Sequence, residues 1–216
     1  ADPKSLEPVF GPEQAIWTHG IKWYTDKGHL HRVRRIQVAY PTSVRFLYQQ
    51  HRGPKCWNPE TATEACEVII DTYRTHLGGK RALIFVNATD DAKRLEAEFC
   101  REFGNDFAIA SYGDQKRSKA GKLYSEGGQT RVLIAVQNLD YSFRAHGADG
   151  VIMAAEISSL RAFGQRLGRA LGVLSGENQR EILLIEMRGV GSGSLKNPAS
   201  LPRLLGRGDP SGEEPS

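Results

Sequence analysis

Residues 81–104, "RALIFVNATDDAKRLEAEFCREFG", decide how the chain is read. Ala82–Val86 is five apolar residues in a row, the mark of a strand covered on both faces rather than one facing water. Thr89, Asp90 and Asp91 then read as a helix start. A hydroxyl can accept from first-turn amides, and carboxylates sit well against the positive end of the helix dipole. Leu95, Phe99 and Phe103 follow at helical spacing, and Gly104 ends the run. A buried strand leading straight into an amphipathic helix is the building unit of a parallel α/β sheet.

The same unit recurs outward from this stretch. "FAIAS" (107–111), "VLIAV" (132–136), "GVIMAA" (150–155) and "EILLIEM" (181–187) are further apolar runs separated by helical segments. The expected fold class is therefore α/β, a parallel β-sheet sandwiched between helices. Upstream, "TATEACEVIIDTYRTHL" (61–77) reads as a helix with a Thr61…Glu64 capping box and a stop at Gly78–Gly79. Residues 1–60, punctuated by Pro3, Pro8, Pro12, Pro41, Pro54 and Pro59, read as an N-terminal arm or linker with one short alternating strand, "RIQVAY" (35–40). Residues 188–216 are rich in Gly, Pro and Ser and are expected to form a flexible, largely disordered tail, which leaves 61–187 as the domain.

Composition bounds the function classes. The chain has 216 residues, is 39% hydrophobic and holds three tryptophans, enough for a globular core. Its longest apolar runs fall well short of the roughly 18 residues that a membrane span needs, so no membrane role is expected. Three unclustered cysteines, Cys56, Cys66 and Cys100, argue for reduced thiols and an intracellular setting. The net charge of +4 admits a polyanionic partner without requiring one. His51, Cys56, Cys66 and His76 are spaced too widely for a usual zinc finger, and no metal site is expected.

The segment "AFGQRLGRALG" (162–172) is the chemically informative one. Ser158 or Ser159 caps it, and Leu160, Phe163, Leu167, Ala170 and Leu171 gather on one side. Arg161, Gln165, Arg166 and Arg169 are expected to fan across the other. Glycine inside a helix costs roughly 1 kcal/mol against alanine, yet Gly164, Gly168 and Gly172 recur every four residues. They leave one edge bare for a backbone or ligand to approach, and guanidinium groups beside that edge suit phosphate oxygens. Arginines on the polar side of a helix are also commonly just solvated, and both readings stay open on this helix alone.

"QRLGRALG" (165–172) resembles motif VI of superfamily 2 helicases, whose pattern is Gln/His-Arg-x-Gly-Arg-x-x-Arg. "RALIFVNATDDAKRLEAEF" (81–99) is similar to the motif IV region and "RVLIAVQNLDYSFRAHGADGVIM" (131–153) to the motif V region, in the same order. "VFGPEQAIWTHGIKWYTDKGHL" (9–30) is similar to the segment that leaves the first helicase domain in DNA-type members. The resemblance implies the second, C-terminal RecA-like domain of a nucleic-acid-dependent ATPase. Carried over by position, Arg169 matches the finger arginine, Gln165 and Arg166 the start of motif VI, and Gly168 its glycine. The implied strand contacts are Asn87, Thr89, Gln137 and Asn138, with Lys116 and Arg117 adding sequence-independent phosphate binding.

The departures carry their own message. The last arginine of motif VI is Gly172, and the hydroxyl, glycine and carboxylate of motif V align with Val136, Ser142 and Arg144. In the alignment that the resemblance implies, Arg144 would restore some of the lost positive charge near the nucleotide. No Gly-x4-Gly-Lys-Ser/Thr loop is present in this sequence, so ATP and magnesium are expected to be held mainly by a first RecA-like domain elsewhere, and the chain is not expected to hydrolyse ATP alone. The implied partners are that domain and nucleic acid, with DNA favoured over RNA. The alternative is a catalytically inactive helicase-like module that binds nucleic acid or protein.

Overall fold

The computed structural model describes residues 21–49, 53–112, 114–136, 147–174, 176–189, 195 and 198–205. In chain order the elements are α1 (Ile21–Asp26), β1 (Arg32–Ala39), β2 (Phe46–Gln49), β3 (Gly53–Trp57), α2 (Ala62–His76), β4 (Ala82–Val86) and α3 (Thr89–Phe103). They continue as β5 (Ala108–Ser111), α4 (Asp114–Ser125), β6 (Val132–Val136), β7 (Gly150–Met153), α5 (Leu160–Leu171), β8 (Glu181–Arg188) and α6 (Leu201–Leu204).

Six strands form one sheet in the order β1-β8-β7-β4-β6-β5, and every neighbouring pair is parallel. All five residues of β4 are buried, as its unbroken apolar run requires at the sheet centre. Alternate residues point to opposite faces, and two cores result. Ile84, Val86 and Ile134 face α2 and α3, with Ile69, Tyr73, Leu95 and Phe99 packed against them. Leu83, Phe85 and Val151 face α4 and α5, with Tyr124, Phe163, Leu167 and Leu171 on that side. The expected sandwich of helices around a parallel sheet is therefore the observed one.

Several local expectations are corrected. The strand expected within an N-terminal arm is β1, and it joins the domain's own sheet, pairing with β8 from Arg32↔Glu181 to Ala39↔Arg188. Its alternating pattern reflects a half-covered edge strand rather than a separate linker. The antiparallel β2–β3 pair also belongs to the body, since Phe46 and Trp57 are buried with Tyr40 and Val44 in the first core. Within the span expected as a tail, residues 198–205 are packed, with Ala199 and Leu201 buried in the second core.

The helix starts differ as well. No capping box forms at Thr61. Its hydroxyl accepts from the Arg45 amide at 3.0 Å, and the Glu64 carboxylate accepts from the Ser43 hydroxyl, so both side chains tie the helix to the 43–45 segment instead. Thr89 is the first helical residue rather than the cap, a position held by Ala88. Ser159 does cap α5, accepting from the Ala162 amide at 3.2 Å. Gly104 ends α3 at φ +106°, a backbone that side chains rarely adopt.

Candidate functional site

In a parallel sheet all strands present their C-terminal ends at one edge, and the loops there are the usual place for chemistry. At this edge β4 runs out at Val86 and is followed by Asn87 and Thr89, while β7 runs out at Met153 and is followed by residues 154–159 and then α5. The two loops are joined directly, because the Asn87 amide nitrogen donates to the Glu156 carbonyl at 3.3 Å. Asn87 and Thr89, both named from the sequence as strand contacts, thus lie at one end of β4 and are partly exposed. Asp91, in the first turn of α3, is buried, and both its oxygens accept from the Trp57 amide at 3.3 Å. Burial raises its carboxyl to about 7, so the residue that reads as a dipole-facing charge is a buried clamp on β3.

α5 starts at this edge and runs back along the sheet, antiparallel to β7. At 1.5 Å per residue, Arg169 lies about 15 Å along the axis from the Ser159 cap, so the cap end and the arginine end of the helix sit at opposite edges of the sheet. The arginine end is tied down too. The Leu171 carbonyl accepts from the His31 amide at 2.8 Å, and Leu30 and Gly172 form an antiparallel bridge. His31 is itself buried and accepts through Nδ1 from the Arg180 amide at 3.2 Å, and burial lowers its pKa.

The four motif residues separate into two environments. Gln165 and Gly168 are exposed and Arg169 is half-buried. Arg166, expected on the polar side, is instead 8% exposed. Its guanidinium lies 5.5 Å from the Phe85 ring centroid, its Nε and Nη1 have no hydrogen-bond partner among the described residues, and desolvation lowers it to about 10. The signal for this was in the spacing: positions 163, 166, 167 and 170 are i, i+3, i+4 and i+7, one stripe of a helix. The sequence reading had put an arginine on the wrong side of that stripe because of its charge.

The glycine edge also divides. A side chain at Gly164 would meet the Leu204 methyls at 3.3 and 3.5 Å, so this glycine is accounted for by the approach of α6. At Gly168 a Cβ would find nothing within 4 Å. Packing among the described residues therefore gives no reason for Gly168, which is the opening a ligand or partner would use. Gln137, Asn138, Ser142 and Arg144 lie outside the described residues, and so do the side chains of Lys116 and Arg117, although their backbone lies in α4.

Two buried carboxylates were missed by the sequence reading. Glu156 is buried, and its two oxygens accept from the Gly189 amide at 2.8 Å and the Leu195 amide at 3.0 Å. Burial raises its pKa in spite of these bonds. Glu186 is buried beside it along β8, accepting from the Leu201 amide at 2.7 Å and from Arg35 at 2.8 Å. A lone acidic residue closing an apolar run, as in "GVIMAAEI" and "EILLIEM", was the available sign. Among the described residues, no group of three or more His, Cys, Asp or Glu is arranged to hold a metal, and no helix is long and apolar enough to cross a membrane.

No protein-family model matches the sequence, and no curated protein does. Solved structures do match. A fragment assigned as the HsdR subunit of a type I restriction enzyme from Vibrio vulnificus YJ016 is similar at TM-score 0.56 and 13% identity, over 92% of this chain and 43% of that one. The DUF1998 helicase MrfA, bound to DNA, is similar at TM-score 0.51 and 12% identity, over 73% of this chain and 20% of that one. The chain thus spans less than half the length of either. These likenesses are of fold alone: a RecA-like α/β domain, its parallel sheet flanked by helices.

Proposed function

We propose that this chain is the C-terminal half of an ATP-dependent nucleic-acid helicase or translocase. In this reading it binds the backbone of the strand and supplies an arginine to an ATP site shared with a first RecA-like domain. The observation that carries the reading is Gly168. It stands exposed inside a helix, with no packing partner among the described residues to account for it, one residue before Arg169 in "QRLGR" and within a RecA-like fold. A bare helix edge beside a permanently charged, forked donor suits the oxygens of a nucleotide phosphate.

The residues fit the phosphate end of a nucleotide and nothing more of it. Gln165, Gly168 and Arg169 would face it, with Arg144 as a further cation, while magnesium and most of the ATP would be held by the first domain. ATP, when bound, supplies a γ-phosphoryl group whose transfer spreads negative charge over its oxygens. Arg169 would then lower the barrier by electrostatic complement to that charge, once closure of the two domains excludes water. Asn87 and Thr89, at the C-terminal sheet edge, would hold strand phosphates, joined by Gln137, Asn138, Lys116 and Arg117. DNA is the favoured strand on the resemblance of residues 9–30, of which only 21–30 are described.

The test is nucleic-acid-stimulated ATPase of this chain together with a first RecA-like domain, wild type against Arg169→Ala. Removing one preorganised donor should raise the barrier by about 2–4 kcal/mol and leave nucleic-acid binding largely intact. Equal turnover in the two proteins refutes the role of Arg169.

A second reading, a catalytically inactive module that binds nucleic acid or protein, is favoured by one observation. Arg166, which the motif assigns to the nucleotide side, is turned inward against Phe85, and Gly172 stands where the last arginine belongs. That reading requires wild type itself to be inert beside a competent first domain.

A further inference from the structure

We infer that Glu156 is a positioning residue, the pin through which the strand-side edge of the sheet and the segment after β8 jointly set the placement of α5 and therefore of Arg169. Three separate connections meet in this residue. Its carbonyl accepts from Asn87 at the end of β4, and its two carboxylate oxygens accept from the amides of Gly189 and Leu195. It also precedes the Ser159 cap of α5 by three residues, too few to leave slack between them.

Further along the chain, residues 198–205 form a strap on α5. The next residue, Ile157, accepts through its carbonyl from the Ala199 amide, and the Glu186 carboxylate accepts from Leu201. Leu201 and Ala199 are buried in the core that holds Phe163 and Leu167, and the Leu204 methyls close on Gly164. The strap therefore grips both the loop entering the helix and the flank of its first turns. A helix of 12 residues behaves as a rod, so a shift imposed at Glu156 is carried to Arg169 against the hold of His31 on the last turn. Strand binding at Asn87 would thus reach the arginine through two bonded residues and one helix.

This inference rests on the proposed function only for what Arg169 does; the pinning itself is tested in this chain alone. Glu156→Gln keeps the shape and one acceptor oxygen, but it turns an amide NH2 toward the second backbone N–H, so one bond is lost. Amide exchange followed residue by residue should speed up by tenfold or more at Gly189 or Leu195. The same acceleration should appear at Leu201 and at Ala162 and Phe163 in the first turn of α5, with β4 and β6 unchanged. Leu204→Ala, which loosens the strap at its far end, should reproduce the effect at Ala162 and Phe163. Acceleration confined to Gly189 and Leu195 in the first variant, or absent from α5 in both, overturns the positioning role.

The functional arm uses the same Glu156→Gln chain with a first RecA-like domain: kcat should fall while the nucleic-acid concentration for half-stimulation stays within about twofold. An unchanged kcat beside an active wild type overturns the link to Arg169. A wild type with no ATPase, beside the expected exchange result, defeats the proposed function and leaves the pin standing.

Discussion

Gly168→Ala separates the demands of folding from the demands of a partner. In the interior of an exposed helix, glycine is worse than alanine by roughly 0.8–1 kcal/mol, because it has more backbone freedom to lose. Gly168 lies within α5, three residues before its last, and a Cβ there meets nothing within 4 Å. No steric term offsets the gain, so the variant should be more stable by about 0.8 kcal/mol. For a chain of this size that is a rise in Tm of roughly 2–3 °C. Gly164→Ala is the control: its Cβ meets Leu204 at 3.3 Å, tighter than ordinary contact, so the propensity gain is opposed and the net change should fall near zero. Urea unfolding at constant m-value, alongside calorimetry, reads both. The decisive pairing is with function. The stabilised Gly168→Ala chain should lose stimulated ATPase with a first domain, since the methyl fills the space a phosphate or facing backbone would use. A lower Tm for Gly168→Ala would refute the reasoning, because it would mean the glycine serves packing within the chain after all.

Asp91 gives a pH signature. Its carboxyl titrates near 7 in the fold against 3.8 when free, so the folded state binds the proton more tightly and the contribution is fully present below about pH 4, fading as pH rises through 7. The difference in unfolding free energy between wild type and Asp91→Asn should therefore change by roughly 2–4 kcal/mol between pH 4 and 8; a flat difference curve rejects the buried carboxyl. His31 runs the other way: its lowered pKa means stability is lost as pH falls below 6.5, and His31→Gln should flatten the acid limb measured by urea unfolding. Arg166→Met keeps the packing on Phe85 while removing two donor nitrogens that have no partner among the described residues, and it should stabilise the chain by about 1 kcal/mol in the same assay. Destabilisation would show that Arg166 has a partner in the folded chain. Tyr40→Phe removes the 2.8 Å bond from its hydroxyl to the Ala154 carbonyl and should cost about 1–2 kcal/mol in unfolding free energy, since a buried hydrogen bond is lost.

What could be read from the sequence was what depends on local periodicity. The runs at 82–86 and 132–136 match β4 and β6 residue for residue, and those at 107–111, 150–155 and 181–187 differ from β5, β7 and β8 by at most two residues at an end. An unbroken apolar run has one physical explanation in a chain of this composition, burial on both faces. β1 was legible as a strand, but its partner β8 lies some 150 residues on, and pairing over that distance leaves no local trace. Caps failed for a related reason: Thr61 and Glu64 have the residues of a capping box, yet Arg45 and Ser43 offered their side chains competing partners. Glu156 and Glu186 were missed because most of what they bind is backbone amides, which every residue but proline carries and no pattern of side chains reveals.

The arginine helix shows where folding ends and function has to begin. Its cap end is satisfied by Ser159 and held by the loop that Glu156 anchors; its flank is covered at Gly164 by Leu204; its apolar stripe is spent on the second core; its last turn is fastened by His31. Each of these contacts explains a residue by stability alone. Gln165 and Gly168 are not so explained, since both are exposed and the glycine weakens the helix that carries it. A chain under selection for stability would place alanine there, so the cost points outward, to something that approaches this edge and is absent when the chain stands alone. The proposed site therefore falls to Arg169 and its neighbours rather than to Arg166. The arginine within the stripe is already committed to Phe85, whereas Arg169 lies beside Gly168, where an added Cβ would meet nothing within 4 Å among the described residues.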